Sequence, residues 1–116
     1  MSVDQKDTID FLTRSRVTGD VTLTISDHLG WDQPREHLLV LQEKINFYLT
    51  YIESGRILEA CAVADDSRIV IQVMFRCAPP EGEVTRFLAV AREKIAAAGY
   101  HFAHFVPDLE TDGQPV

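Results

Sequence analysis

A chain of 116 residues, 46% apolar and 25% charged, carries enough apolar material for one hydrophobic core and lies in the ordinary range of globular proteins. Its 11 Lys and Arg stand against 18 Asp and Glu, and the net charge of -7 disfavours nucleic-acid backbones and anionic membrane surfaces while suiting a basic protein partner. No apolar run approaches the roughly 20 residues that span a bilayer, the start Met1-Ser2-Val3-Asp4 is not signal-like, and Cys61 and Cys77 are too few for a disulfide scaffold, so the expected setting is a reducing cytoplasm.

Residues 8–15 and 20–26 alternate as half-buried strands, with Ile9, Phe11 and Thr13 on one face of the first and Val21, Leu23 and Ile25 on one face of the second. A three-residue loop, Val17-Thr18-Gly19, sets Phe11 opposite Ile25 and Thr13 opposite Leu23, with Gly19 left-handed in a bulge. A polar loop from Asp27 to Trp31 follows. Asp32 is a suitable N-cap and Pro34 fits a first helical turn, so a helix is expected over about 33–54, stopped by Gly55. Leu38, Leu41, Ile45, Leu49 and Ile52 are its core stripe.

Two strands are then expected to turn about Asp65-Asp66, setting Ala62 opposite Ile69, Ala60 opposite Ile71 and Leu58 opposite Val73. The strand 68–77 is nearly all apolar and reads as central, ended by Pro79-Pro80. A second helix over about 81–98 buries Val84, Phe87, Leu88, Ala91 and Ile95 and stops at Gly99. Residues 100–106 form a last strand. Residues 1–106 are thus one domain, and the polar stretch 107–116 is expected to be a mobile tail. The fold class is α+β, in the order ββαββαβ: a two-layer arrangement with a mostly antiparallel five-stranded sheet and two helices on one face. The last six elements match a ferredoxin-like variant, with strand order left open.

The run Leu23-Thr24-Ile25-Ser26-Asp27-His28-Leu29 with Trp31, the stretch from His37 to Asn46, and Tyr48-Leu49 with Tyr51-Ile52-Glu53-Ser54-Gly55 resemble a family of small uncharacterised bacterial proteins. The likeness extends over nearly the whole chain. The resemblance brings no assigned activity, so it transfers no functional residue.

Two groups of residues could carry function. The loop 27–37 gathers Asp27, His28, Trp31, Asp32, Glu36 and His37 between a strand end and a helix start, where free N–H groups favour anions and where His and carboxylate could ligate a metal. Its plainer role is capping, and no standard metal spacing is present, so no cofactor is expected. His101 and His104, three apart on a strand, point to opposite faces and form no pair. Neither a phosphate loop nor a hydrolase triad is present.

The second group is a further apolar stripe on the long helix, Val40, Phe47 and Tyr51, with Lys44 among them and His37 and Tyr48 at its edge. A helix packed on one sheet should be polar there, so Val40, Lys44, Phe47, Tyr48 and Tyr51 are expected to be an interface. The open sheet face, with Thr22, Thr24, Val70, Gln72 and Met74, is the rival surface. The functional expectation is a non-enzymatic acidic protein acting through protein–protein contact, as a homodimer or as an inhibitor or immunity-type protein for a basic target. The alternative is a small-ligand or metal-binding protein, or a hydrolase, using Asp27, His28, Trp31, Asp32 and His37.

Overall fold

The computed structural model describes residues 8–60 and 68–107. Its elements are β1 (Phe11–Arg14), β2 (Val21–Asp27), α1 (Pro34–Glu53), α2 (Ile57–Ala60), β3 (Ile69–Phe75), α3 (Glu83–Ala97) and β4 (His101–Phe105). The chain is α+β, but among the described residues the sheet has four strands in the order β1-β2-β3-β4, antiparallel between β1 and β2 and parallel from β2 to β4.

This corrects the five-stranded, mostly antiparallel expectation and the ferredoxin-like order with it. The cause lies at residues 57–60, which wind into a helical turn instead of a strand. Without a hairpin partner there, β3 pairs directly with β2, from Val21↔Ile69 to Asp27↔Phe75. The 20 residues of α1 span about 30 Å and return the chain to the end where β2 began, which is what a parallel neighbour requires. The helix α3 makes the same return before β4. Strand β3 is central, as its apolar run implies. The rest of the expected second hairpin, Cys61, Ala62 and the turn at Asp65-Asp66, lies outside the described residues, as do residues 108–116 of the expected tail.

The first hairpin forms, but its register slips by one residue. Phe11 pairs with Thr24 and Leu12 with Leu23, because the loop is four residues long, from Arg16 to Gly19. The Ser15 N–H donates to the Asp20 carbonyl at 2.9 Å, closing that wider loop, and the Gly19 N–H donates to the Ser15 carbonyl at 2.9 Å. The Ser15 hydroxyl accepts from the N–H groups of Val17 and Thr18, both at 3.2 Å, so a local side chain supports the extra turn. Gly19 is left-handed as expected, with φ of 82°. A one-residue slip exchanges the faces of a strand. Phe11 therefore points outward, 49% exposed, while Asp10 and Leu12 turn toward the helices.

One apolar cluster fills the space between sheet and helices. Val21, Leu23, Ile25, Ile71, Val73, Phe75 and Phe102 of the sheet meet Leu38, Leu41, Ile45 and Ile52 of α1 and Val84, Leu88, Ala91 and Ile95 of α3. Ile57 joins them. Both helices thus cover one face, as their stripes imply, while Leu49 and Phe87 sit at its margin, half-buried. No helix among the described residues is long and apolar enough to cross a membrane.

Candidate functional site

The expected ligand loop closes on itself. Asp27 ends β2, and its Oδ1 accepts the Leu29 N–H at 3.1 Å in a local turn. Its Oδ2 lies 2.6 Å from Nε2 of His37, in the first turn of α1, with both side chains out of water. The Nδ1 of His37 donates to the Gly30 carbonyl at 2.9 Å. A carbonyl can only accept, so Nδ1 must carry its hydrogen, and the Asp27–His37 contact then shares one further proton. Trp31 stacks on the His37 ring, with centroids 3.7 Å apart and planes 20° from parallel, and its indole N–H donates to the Cys77 carbonyl at 3.0 Å.

Both nitrogens of His37 are therefore occupied by the chain itself. A metal or substrate could reach either only by displacing Asp27 or Gly30. His28, Asp32 and Glu36 are exposed and do not join the cluster. Asp32 is also not the helix cap. That position belongs to Gln33, which makes no side-chain cap bond, and Pro34 opens the helix, its missing N–H being one that the first turn leaves unpaired anyway. A depression of about 340 Å³ at the ends of β2 and β3 is lined by Ser26, Asp27, His28, Met74, Arg76 and Pro107, beside the closed cluster. Among the described residues there is no group of three or more His, Cys, Asp or Glu placed to hold a metal.

A second polar cluster lies deeper and has no counterpart in the sequence reading. Lys44 is 0% exposed, and its ammonium donates to Asp10 Oδ1 at 3.0 Å and to the Thr8 carbonyl at 2.7 Å. Asp10 Oδ2 accepts the Ser26 N–H at 2.9 Å, so a carboxylate continues the β1–β2 pairing where the ladder stops. The Tyr48 hydroxyl accepts the Asp10 N–H at 2.9 Å and donates to the Thr24 carbonyl at 2.9 Å. Burial holds the Tyr48 phenol well above the usual tyrosine range, and the Asp10 charge adds to this, so the hydroxyl keeps the proton it donates.

These contacts correct the interface expectation for two of its members. Lys44 and Tyr48 are sealed inside the chain, and Val40, Phe47 and Tyr51 are half-buried against the core. The face that α1 buries is centred on His37, Leu41, Lys44, Tyr48 and Ile52, which follow the i, i+4, i+7, i+11, i+15 spacing of one helical stripe. Reading apolar residues alone turned that stripe toward Leu49. A lysine and a tyrosine at core spacing, facing a strand with an aspartate on its inward parity, were the signal for the correct setting.

The opposite face of the sheet is the remaining surface. Its rows run Thr13–Thr22–Val70–His101, Phe11–Thr24–Gln72–Ala103 and Ser26–Met74–Phe105. No described helix or strand packs on it, and none of these positions holds Asp, Glu, Lys or Arg. His101 stands on this face. His104 faces α3, where burial lowers its pKa below the usual histidine value and the nearby Arg92 lowers it further.

A family model described as a family of unknown function (DUF6572) matches residues 1–108. No curated protein and no solved structure matches the chain.

Proposed function

We propose, for a chain that belongs to the DUF6572 family, that it acts without chemistry of its own, by contact with another protein through the open face of its sheet. The observation that carries this reading is that the three central rows of that face hold no Asp, Glu, Lys or Arg in a chain that is 25% charged, the Asp20–Arg68 ion pair standing at one end and Arg76 at the other. The centres of protein interfaces are depleted in charged residues and enriched in aromatics and Met, and Phe11, Met74 and Phe105 supply those here. The chemistry-bearing side chains argue the same way, since His37 and Lys44 spend their polar atoms on the chain's own loop and strand.

The net charge of -7 lies off this face, so an inhibitor of a basic target would have to use another surface. On this reading the protein works in the cytoplasm, and its partner surface is as neutral as its own. A photo-crosslinking amino acid placed at Gln72 on the face, and separately at Gln42 on the exposed side of α1, tests the proposal in cells. A protein adduct of defined mass is expected from position 72 and not from 42. Adducts from 42 alone, or from neither, would remove it.

A further inference from the structure

We infer that the end of the open sheet face holds a site for a carboxylate joined to an apolar group, bound by Arg76 and His28 over a floor of Met74 and Phe105. This deepens the reading above and rests on it for the source of the carboxylate, the C-terminal residue of the partner protein.

The placement follows from register. The Arg76 N–H donates to the Asp27 carbonyl at 2.8 Å, so the parallel pairing of β2 and β3 continues past Asp27↔Phe75. Side chains alternate along a strand, so His28 and Arg76 come next after Ser26 and Met74 on the outward side. All four line the depression of about 340 Å³, which Pro107 closes beyond β4. Phe105 stands beside Met74 in the last row of the face.

The charge at this end is open. At the opposite end of the face Arg68 is already matched, with its guanidinium 3.2 Å from Asp20 Oδ2. Arg76 and the His28 ring have no such partner among the described residues. The carboxylate that lines the depression, Asp27, gives Oδ1 to the Leu29 N–H and Oδ2 to His37. A guanidinium offers a planar fork that two carboxylate oxygens fit. One carboxylate also balances one arginine, whereas a phosphate dianion would add surplus negative charge to a chain of net charge -7. The overall negative field does not decide the matter, because salt screens it within about 8–10 Å while the guanidinium acts in contact.

The apolar group is called for by the floor. Arg76 and Met74 are two residues apart on one strand, about 7 Å along the face. A ligand matches both when its carboxylate and its apolar side chain stem from one carbon, as they do at the end of a protein chain. An Asp or Glu side chain carries its carboxylate without an apolar group on the same carbon.

A titration of the isotope-labelled full chain, followed by NMR, tests the site. The probe is N-acetylphenylalanine, which stands in for a chain end, and the control is its amide, which lacks the charge. The acid should shift the His28 and Arg76 signals and saturate with a dissociation constant of about 1 mM, the weak end of specific affinity. The amide should bind at least about tenfold more weakly, and so should the acid to the Arg76→Gln chain. Arg86→Gln, which removes a likewise exposed arginine on α3, should bind the acid as the wild type does. Core signals of β2 and β3 that keep their positions show that the variants fold. In cells, Arg76→Gln should cut the adduct from position 72 several-fold, and Arg86→Gln should leave it unchanged.

An acid that shifts neither residue, an amide that binds as well as the acid, or an Arg76→Gln chain that binds as the wild type does overturns the site. If the adduct from position 72 persists in that case, the broader reading of the face survives. If the acid binds through Arg76 while the adduct is absent or indifferent to Arg76, the ligand is a free organic acid and the protein source is overturned. If neither binding nor adduct is seen, both fall.

Discussion

At the scale of single residues, the ion pair between Lys44 and Asp10 is enclosed, with both side chains at 0% exposure. Removing one member leaves an unpaired charge in a low-dielectric setting, which costs about 3–5 kcal/mol, whereas removing both can be nearly neutral. Lys44→Met should therefore destabilise the chain by about that amount in urea denaturation. The double variant Asp10→Leu with Lys44→Met should recover part of the loss. Recovery stays incomplete because Asp10 Oδ2 also accepts the Ser26 N–H, and that donor would be left unpaired at about 1–3 kcal/mol. Additive losses from the two substitutions would mean that the pair is not coupled. Asp27 and His37 form a second such pair near the start of α1, so the helix is fastened to the end of β2 near its first turn and to Asp10, just ahead of β1, at its middle.

At the scale of elements, legibility in the sequence followed what each element depends on. The helices α1 and α3 and their glycine stops were readable, because amphipathic spacing and a left-handed terminator are local properties. The parallel course of β3 was not, because it depends on Ile57–Ala60 winding up, and short apolar runs do not distinguish strand from helix. The first hairpin shows the limit most clearly. Alternation placed Ile9, Phe11 and Thr13 inward; Ile9, ahead of the strand, does pack against the core, but Phe11 and Thr13 are exposed and Asp10 and Leu12 turn inward instead, because a buried lysine on α1 compensates an inward aspartate. The candidate site divided the same way: Asp27, Trp31 and His37 do meet, but nothing local to the sequence showed that they would satisfy one another. The register has a measurable consequence. Leu12 lies opposite Leu23 on the core side, so Leu12→Ala should cost on the order of 1–2 kcal/mol, less than a fully buried Leu→Ala, since Leu12 is only half-buried. Phe11→Ser, on the outward face, should change the stability of the dilute monomer by no more than about 0.5 kcal/mol. The reverse ranking in chemical denaturation would restore the other register.

At the scale of the whole molecule, the core is complete on one side of the sheet, so folding of a single copy does not require the other side to be covered. Stability should then contain a separate contribution that depends on concentration, because a partner that binds only the native chain stabilises it by mass action. An independent ligand at about 100 times its dissociation constant adds about 2.7 kcal/mol. For a domain of this size that corresponds to a rise of roughly 10 °C in the thermal midpoint. The wild-type midpoint should climb by about this much when a protein that crosslinks to position 72 is supplied at about 100 times its dissociation constant. The Gln72→Glu midpoint should stay flat with that protein present and match the wild type without it, because Gln72 lies outside the core cluster. A variant midpoint already depressed without the partner would instead show that this position serves the chain's own fold, and the sheet would then have no face to spare.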